Sequence, residues 1–195
     1  MKLVILDRDG VINEDSDDYI KTADEWIALP GSLEAIADLN QSGYQVVVAT
    51  NQSGIGRGLF DMAALNAMHG KMATELSNVG GKVSAIFFCP HVPADNCDCR
   101  KPRPGLFHEI AKRFDVPLTD VPAVGDSLRD LQAGIAAGCQ PHLVKTGKGM
   151  KVLAQAEEHG GIDNILPGTM VHENLAAFVD YFLTKQQDED NQPAS

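Results

Sequence analysis

Short apolar runs alternate along this chain with longer stretches of helical period. The runs occupy residues 3–6, 45–49, 84–88, 121–124 and 142–144. Runs this short, each bounded by polar or turn residues, read as buried strands. Their alternation with amphipathic helices predicts an α/β fold with a Rossmann-like parallel sheet and helices on both faces. After the first strand, Ser32 is placed to cap a helix carrying Leu33, Ile36, Ala37 and Leu39 on one side, with Gly43 to end it. A second helix is predicted from about Asp61, with Leu65, Met68, Met72 and Leu76 on one stripe, broken at Gly80-Gly81. Pro104 suits the first turn of a third helix bearing Leu106, Phe107, Ile110, Ala111 and Phe114, and 128–137 reads as a fourth. Residues 170–171 and 175–183 add a last strand and helix.

At 195 residues with 44% hydrophobic content, the chain is sized for one compact domain, placed at 1–184. The polar end 185–195 has little to bury and is expected to be a solvated, disordered tail. No run of about 18 apolar residues suggests a membrane span. Met1-Lys2 leads straight into a strand instead of a cleavable leader, so a cytoplasmic chain is expected. The net charge of -11 would repel a polyphosphate backbone, which argues against nucleic acid as a partner. A monomer is the default expectation.

In a parallel sheet the C-terminal strand ends share one edge, and ligands bind in the crevice there. Asp7 and Asp9 follow the first strand, Thr50 and Asn51 the second, a cysteine-histidine cluster the third, and Gly125-Asp126 the fourth. Two carboxylates one residue apart beside a buried edge repel each other, and a cation would relieve them. With Asp126 arriving from another strand, the set suits Mg²⁺, which takes a few carboxylate oxygens plus water and substrate phosphate. Each aspartate alone could be a helix cap, but all three together with Thr50 and Lys101 point to phosphoryl transfer. Asp7 can attack phosphorus; Asp9 can protonate the leaving oxygen and then deprotonate water. Thr50 and Lys101 can hold phosphate oxygens, and Asp7, Asp9 and Asp126 can hold the metal.

Cys89, His91, Cys97 and Cys99 form C-x-H-x₅-C-x-C, the ligand set of a closed tetrahedral zinc site. With all four positions filled by protein, this Zn²⁺ would shape the loop at 89–103 and not catalyse. Cys139 stands apart and reads as an ordinary buried thiol. His69, His108, His142, His159 and His172 read as surface or structural histidines. The glycine run at 54–58 lacks dinucleotide-binding spacing and is expected to be a flexible loop beside the phosphate.

Asp7-Arg8-Asp9-Gly10-Val11, Thr50-Asn51, Lys101 before a helix, and Gly125-Asp126 together resemble the four motifs of the haloacid dehalogenase superfamily, over about residues 1–150. Val11 stands where many members have Thr. Thr50 to Gly58, Cys-Pro-His at 89–91 and the Cys-Asp-Cys-Arg-Lys-Pro-Arg-Pro-Gly segment at 97–105 narrow the resemblance to the heptose-bisphosphate phosphatase family. Its relatives, the histidinol-phosphate phosphatases, share these motifs. The resemblance implies a minimal cap and a small phosphorylated metabolite, most simply a heptose 1,7-bisphosphate cleaved at the 7-phosphate through a phosphorylated Asp7. Histidinol phosphate, or binding of a phosphometabolite without turnover, are the alternatives. It also implies Lys101 on the transferring phosphate and Arg100 near the other one. Asn51, Gln52, Ser53, Arg57 and Arg103 are further substrate-binding candidates.

Overall fold

A computed structural model describes residues 1–190. Six strands form one parallel sheet: β1 (Leu3–Leu6), β2 (Gln45–Asn51), β3 (Ala85–Cys89), β4 (Pro122–Gly125), β5 (Gln140–Val144) and β6 (Met170–His172). Their order is β3-β2-β1-β4-β5-β6, so β1 lies centrally and the chain reverses direction across the sheet between β1 and β4. The pleat sends alternate side chains to opposite faces. Val4, Leu6, Val46 and Val48 join one core with α1 (Ser32–Gln41), α3 (Met62–Asn78) and α8 (Leu175–Asp190). Leu3, Ile5, Val47 and Ala49 join the other with α4 (Gly105–Phe114) and α5 (Leu128–Ala136). Short α2 (Ser53–Gly56) follows β2, and α6 (Gly149–Glu158) and α7 (Ile162–Ile165) lie between β5 and β6.

The second helix starts as its sequence pattern predicts: Asp61 accepts a hydrogen bond from the Ala64 amide at 2.8 Å, and Leu65, Met68, Met72 and Leu76 are buried. The first helix differs. Gly31, at φ 76°, occupies the capping position, and the Ser32 hydroxyl donates instead to the Ile12 carbonyl at 2.6 Å, tying the helix to the loop before it. Residues 185–190, expected as tail, continue α8; Phe178, Val179 and Phe182 anchor its start, and extending a formed helix costs little per residue. Residues 191–195 of that expected tail lie outside the described residues. No described helix is long and apolar enough to cross a membrane.

The segment between β1 and α1 is held down by its own apolar side chains. Val11, Ile12, Ile20 and Trp26 are buried, and the Lys71 ammonium of α3 donates to the carbonyls of Trp26 at 2.6 Å and Ala23 at 3.0 Å. It covers one side of the sheet edge without forming a helix or strand of its own.

Candidate active site

A cavity of about 350 Å3 opens at the C-terminal edge of β1, β2 and β4, lined by Asp7, Asp9, Thr50, Asn51, Gln52 and Asp126 among others. Asp7 continues β1, its amide donating to the Val124 carbonyl of β4 at 2.9 Å, so its carboxylate leaves the sheet where these two central strands diverge. Buried Lys101 comes from the loop before α4 and places its ammonium 3.0 Å from Asp7 Oδ1, 2.7 Å from Asp130 Oδ1 and 2.7 Å from the Ala49 carbonyl. All three N–H bonds are thereby used. Asn51 holds the Lys101 backbone with both ends of its amide, each at 3.1 Å, which gives it a positioning role at the cavity wall.

Carboxylate oxygens of Asp7, Asp126 and Asp130 lie within 4.8 Å of one another and form a group suited to a metal ion. Burial, reinforced by Asp130, pushes Asp7 up to about 7, while burial, Asp130 and Asp7 push Asp126 up to about 8. Burial also opposes charge on Asp130, yet Lys101 holds it below the usual carboxylate range. A hard divalent cation among these oxygens would offset the repulsion that keeps protons on them. Asp126 is held by the Lys148 amide at 2.8 Å and packs against Gly10 so closely that a Cβ on Gly10 would fall 2.1 Å from its Oδ2.

The Asp9 carboxylate, expected to hold the metal with Asp7 and Asp126, lies outside this group, which Asp130 joins. The Asp9 carboxylate is turned to donors instead: Arg8 Nη2 at 2.9 and 3.0 Å, Asn13 Nδ2 at 2.9 Å and Gln52 Nε2 at 2.8 Å. Burial works to raise Asp9, but the Arg8 guanidinium and these hydrogen bonds hold it below the usual range. Gln52 thus serves Asp9 and the Thr50 hydroxyl, at 3.0 Å, from the cavity wall.

Cys89, His91, Cys97 and Cys99 converge at the end of β3. Cys89 Sγ is 3.6 Å from both His91 Nδ1 and Cys97 Sγ and 3.2 Å from Cys99 Sγ. A tetrahedral ion with Zn–S bonds of about 2.3 Å has ligand–ligand edges of about 3.8 Å, so the donor set fits zinc with a slight expansion.

Arg100 and Arg57 line the cavity, whereas Arg103 does not. Arg103 reaches back over the cysteine-histidine loop and donates to the carbonyls of Asn96 at 2.7 Å and Cys97 at 3.1 Å, with Asp98 at 3.4 Å. Turn carbonyls that lack sheet partners need such donors, which explains why this cation is spent there. Ser53 is buried at the start of α2 and lines the wall. The glycine run beside it begins inside α2 and is packed at Gly56, where a Cβ would sit 2.7 Å from the Pro90 carbonyl, which accepts from the Gly56 amide.

Sequence reasoning missed Asp130, Arg129, Asp15 and Lys148 as cavity residues. Asp130 had a signal, standing one helical turn beyond Asp126 in Gly-Asp-Ser-Leu-Arg-Asp. Asp15 and Lys148, paired at 2.6 Å, had none, because they meet only when the loop after β5 folds against the loop after β1.

A sequence model of the haloacid dehalogenase-like hydrolases matches residues 2–138. The D-glycero-beta-D-manno-heptose-1,7-bisphosphate 7-phosphatase of Bordetella bronchiseptica is 61% identical over 183 residues, covering 94% of this chain and 98% of that protein. Its namesake in Pseudomonas aeruginosa is 53% identical over 176 residues, covering 90% and 94%. Among solved structures, a D,D-heptose 1,7-bisphosphate phosphatase from B. bronchiseptica complexed with magnesium and phosphate aligns with a TM-score of 0.89 at 59% identity, over 95% of this chain and 99% of that one.

Proposed function

On the premise that the chain belongs to the haloacid dehalogenase-like hydrolases, we propose that it hydrolyses D-glycero-β-D-manno-heptose 1,7-bisphosphate at the 7-phosphate, as the relatives are named for doing. One observation carries the chemistry: Asp7 lines the cavity grouped with Asp126 and Asp130 and paired with Lys101, which also pairs with Asp130, while Asp9 is held separately by other donors. The relatives favour this reading over histidinol phosphate and over binding without turnover, the latter giving no reason for such a committed Asp9.

In the first half-reaction an Asp7 oxygen attacks phosphorus and the P–O bond to the sugar breaks, the leaving oxygen taking the Asp9 proton. Resting Asp9 favours the carboxylate form; negative phosphates arriving beside it raise its proton affinity. In the second half-reaction Asp9 takes a proton from water, which attacks phosphorus and releases Asp7 and inorganic phosphate. Thr50 donates to the transferring oxygens, and an arriving phosphate oxygen takes one Lys101 N–H in place of one of its three resting acceptors, Lys101 otherwise keeping Asp7 aimed. Asp7, Asp126 and Asp130 would hold Mg²⁺, which when bound neutralises phosphate charge as it shifts. We assign the Cys89, His91, Cys97 and Cys99 group to a structural Zn²⁺ that sets the loop leading to Arg100 and Lys101.

The test is phosphate release with Mg²⁺ from the heptose 1,7-bisphosphate, the 7-phosphate and histidinol phosphate. Preference for the bisphosphate, lost in a folded Asp7→Asn variant, is expected. Multiple turnover by Asp7→Asn, or a preference for histidinol phosphate, would overturn the reading.

A further inference from the structure

The cavity wall holds more positive charge than the reaction uses. Lys101 is committed to Asp7 and Asp130, Arg8 to Asp9, and Lys148 to Asp15. Arg100 gives one N–H to the His91 carbonyl at 3.2 Å. Arg57, at the end of α2, and Arg129, in the first turn of α5, line the same cavity, and neither guanidinium makes a hydrogen bond or ion pair among the described residues; Arg129 is the one borne on a capped helix. Its backbone is well fixed, because Ser127 and Asp130 cap the helix start reciprocally on either side of it, the Ser127 amide donating to Asp130 Oδ2 at 3.0 Å. Its charge is felt at both Asp130 and Lys148, which places the guanidinium near the metal-suited group and the loop after β5.

A second phosphate entering this cavity meets the side chains of Asp7, Asp9, Asp15, Asp17, Asp126 and Asp130 on its walls. The metal-suited group and Lys101 answer the reacting phosphate; the other one needs its own cation. A free guanidinium on a rigid element, able to give two parallel N–H bonds, is the group best matched to a phosphate.

We propose that Arg129 is a specificity-determining residue, binding the non-reacting phosphate of a sugar bisphosphate from the α5 wall while Arg100 approaches from the zinc-loop wall. This rests on the bisphosphate reading above. A contact to a phosphate that does not react is alike in ground and transition states, so its loss appears in KM and not in kcat.

The experiment compares wild type, Arg129→Ala and Arg129→Lys on the heptose 1,7-bisphosphate and on the 7-phosphate. Losing a charge-assisted contact is expected to raise the KM for the bisphosphate about 10- to 100-fold. The ratio of kcat/KM for bisphosphate over monophosphate falls by the same factor, kcat stays within about threefold, and Arg129→Lys recovers part of the loss. A merely structural role would lower both substrates together and leave the ratio unchanged, and that result overturns the assignment. Wild-type protein that releases no phosphate from the bisphosphate but cleaves other substrates overturns the functional reading, and this one with it.

Discussion

Replacing Lys101 by methionine tests the electrostatic core of the site. The lysine is 1% exposed, and its ammonium meets Asp7 at 3.0 Å, Asp130 at 2.7 Å and the Ala49 carbonyl at 2.7 Å. Methionine is unbranched and of similar length, so packing is largely kept while the charge goes. Removing one partner from a buried ion pair costs about 3–5 kcal/mol, because the remaining carboxylates are left uncompensated. For a domain of this size each kcal/mol moves Tm by about 2–4 °C, so a fall of roughly 6–20 °C is expected in magnesium-free buffer. Added Mg²⁺ should restore part of it, since a cation bound by Asp7, Asp126 and Asp130 replaces the missing positive charge. In phosphate-release assays kcat should drop about 10²- to 10³-fold, the usual cost of losing one donor to the transferring group. Thermal unfolding by circular dichroism with and without Mg²⁺ measures the first effect. A Tm within about 2 °C of wild type together with kcat within about threefold would refute the reasoning.

Three further outcomes follow from particular contacts. Gly10→Ala adds a Cβ 2.1 Å from Asp126 Oδ2 at φ 81°, so the Mg²⁺ concentration for half-maximal turnover should rise about tenfold or more; an unchanged Mg²⁺ titration would contradict this placement of Asp126. Elemental analysis should find about one zinc per chain in protein purified without chelator and none in Cys97→Ala, whose loop should become sensitive to protease; zinc-free wild type ends that assignment. Burial pushes His142 down to about 3, so below its unfolded value of about 6.5 the unfolded chain takes up a proton that the native state refuses, and stability falls with pH. His142→Gln should therefore flatten the denaturation-monitored slope by about 2 kcal/mol between pH 6.5 and 5, and identical slopes in both proteins would exclude a role for His142.

Several features were readable because they depend on neighbours close in sequence. The period of Leu65, Met68, Met72 and Leu76 marked the buried stripe of α3, and Asp61 its cap. The cysteine-histidine tetrad lies within one loop, so spacing alone brought its donors together. Strand-end placement likewise put Asp7, Thr50 and Asp126 at one edge. Where several local partners compete, spacing failed. Ser32 could cap its helix or bind Ile12, Arg103 could face the phosphate or the cysteine-histidine loop, and the fold chose the second each time.

The class of fold, the acidic strand ends and the metal-suited loop are legible in the chain because they follow from periodicities of two to four residues and from side-chain chemistry. Three-dimensional packing is what brings the Asp130 carboxylate, and not that of Asp9, beside Asp7 and Asp126, gives Asp9 to Arg8 and Gln52, and turns Arg129 to the cavity with no partner among the described residues. Those pairings depend on the order β3-β2-β1-β4-β5-β6, which carries the Lys101 loop and the start of α5 to opposite sides of β1. Charges separated by dozens of residues choose partners by distance in space, and no local spacing encodes that distance.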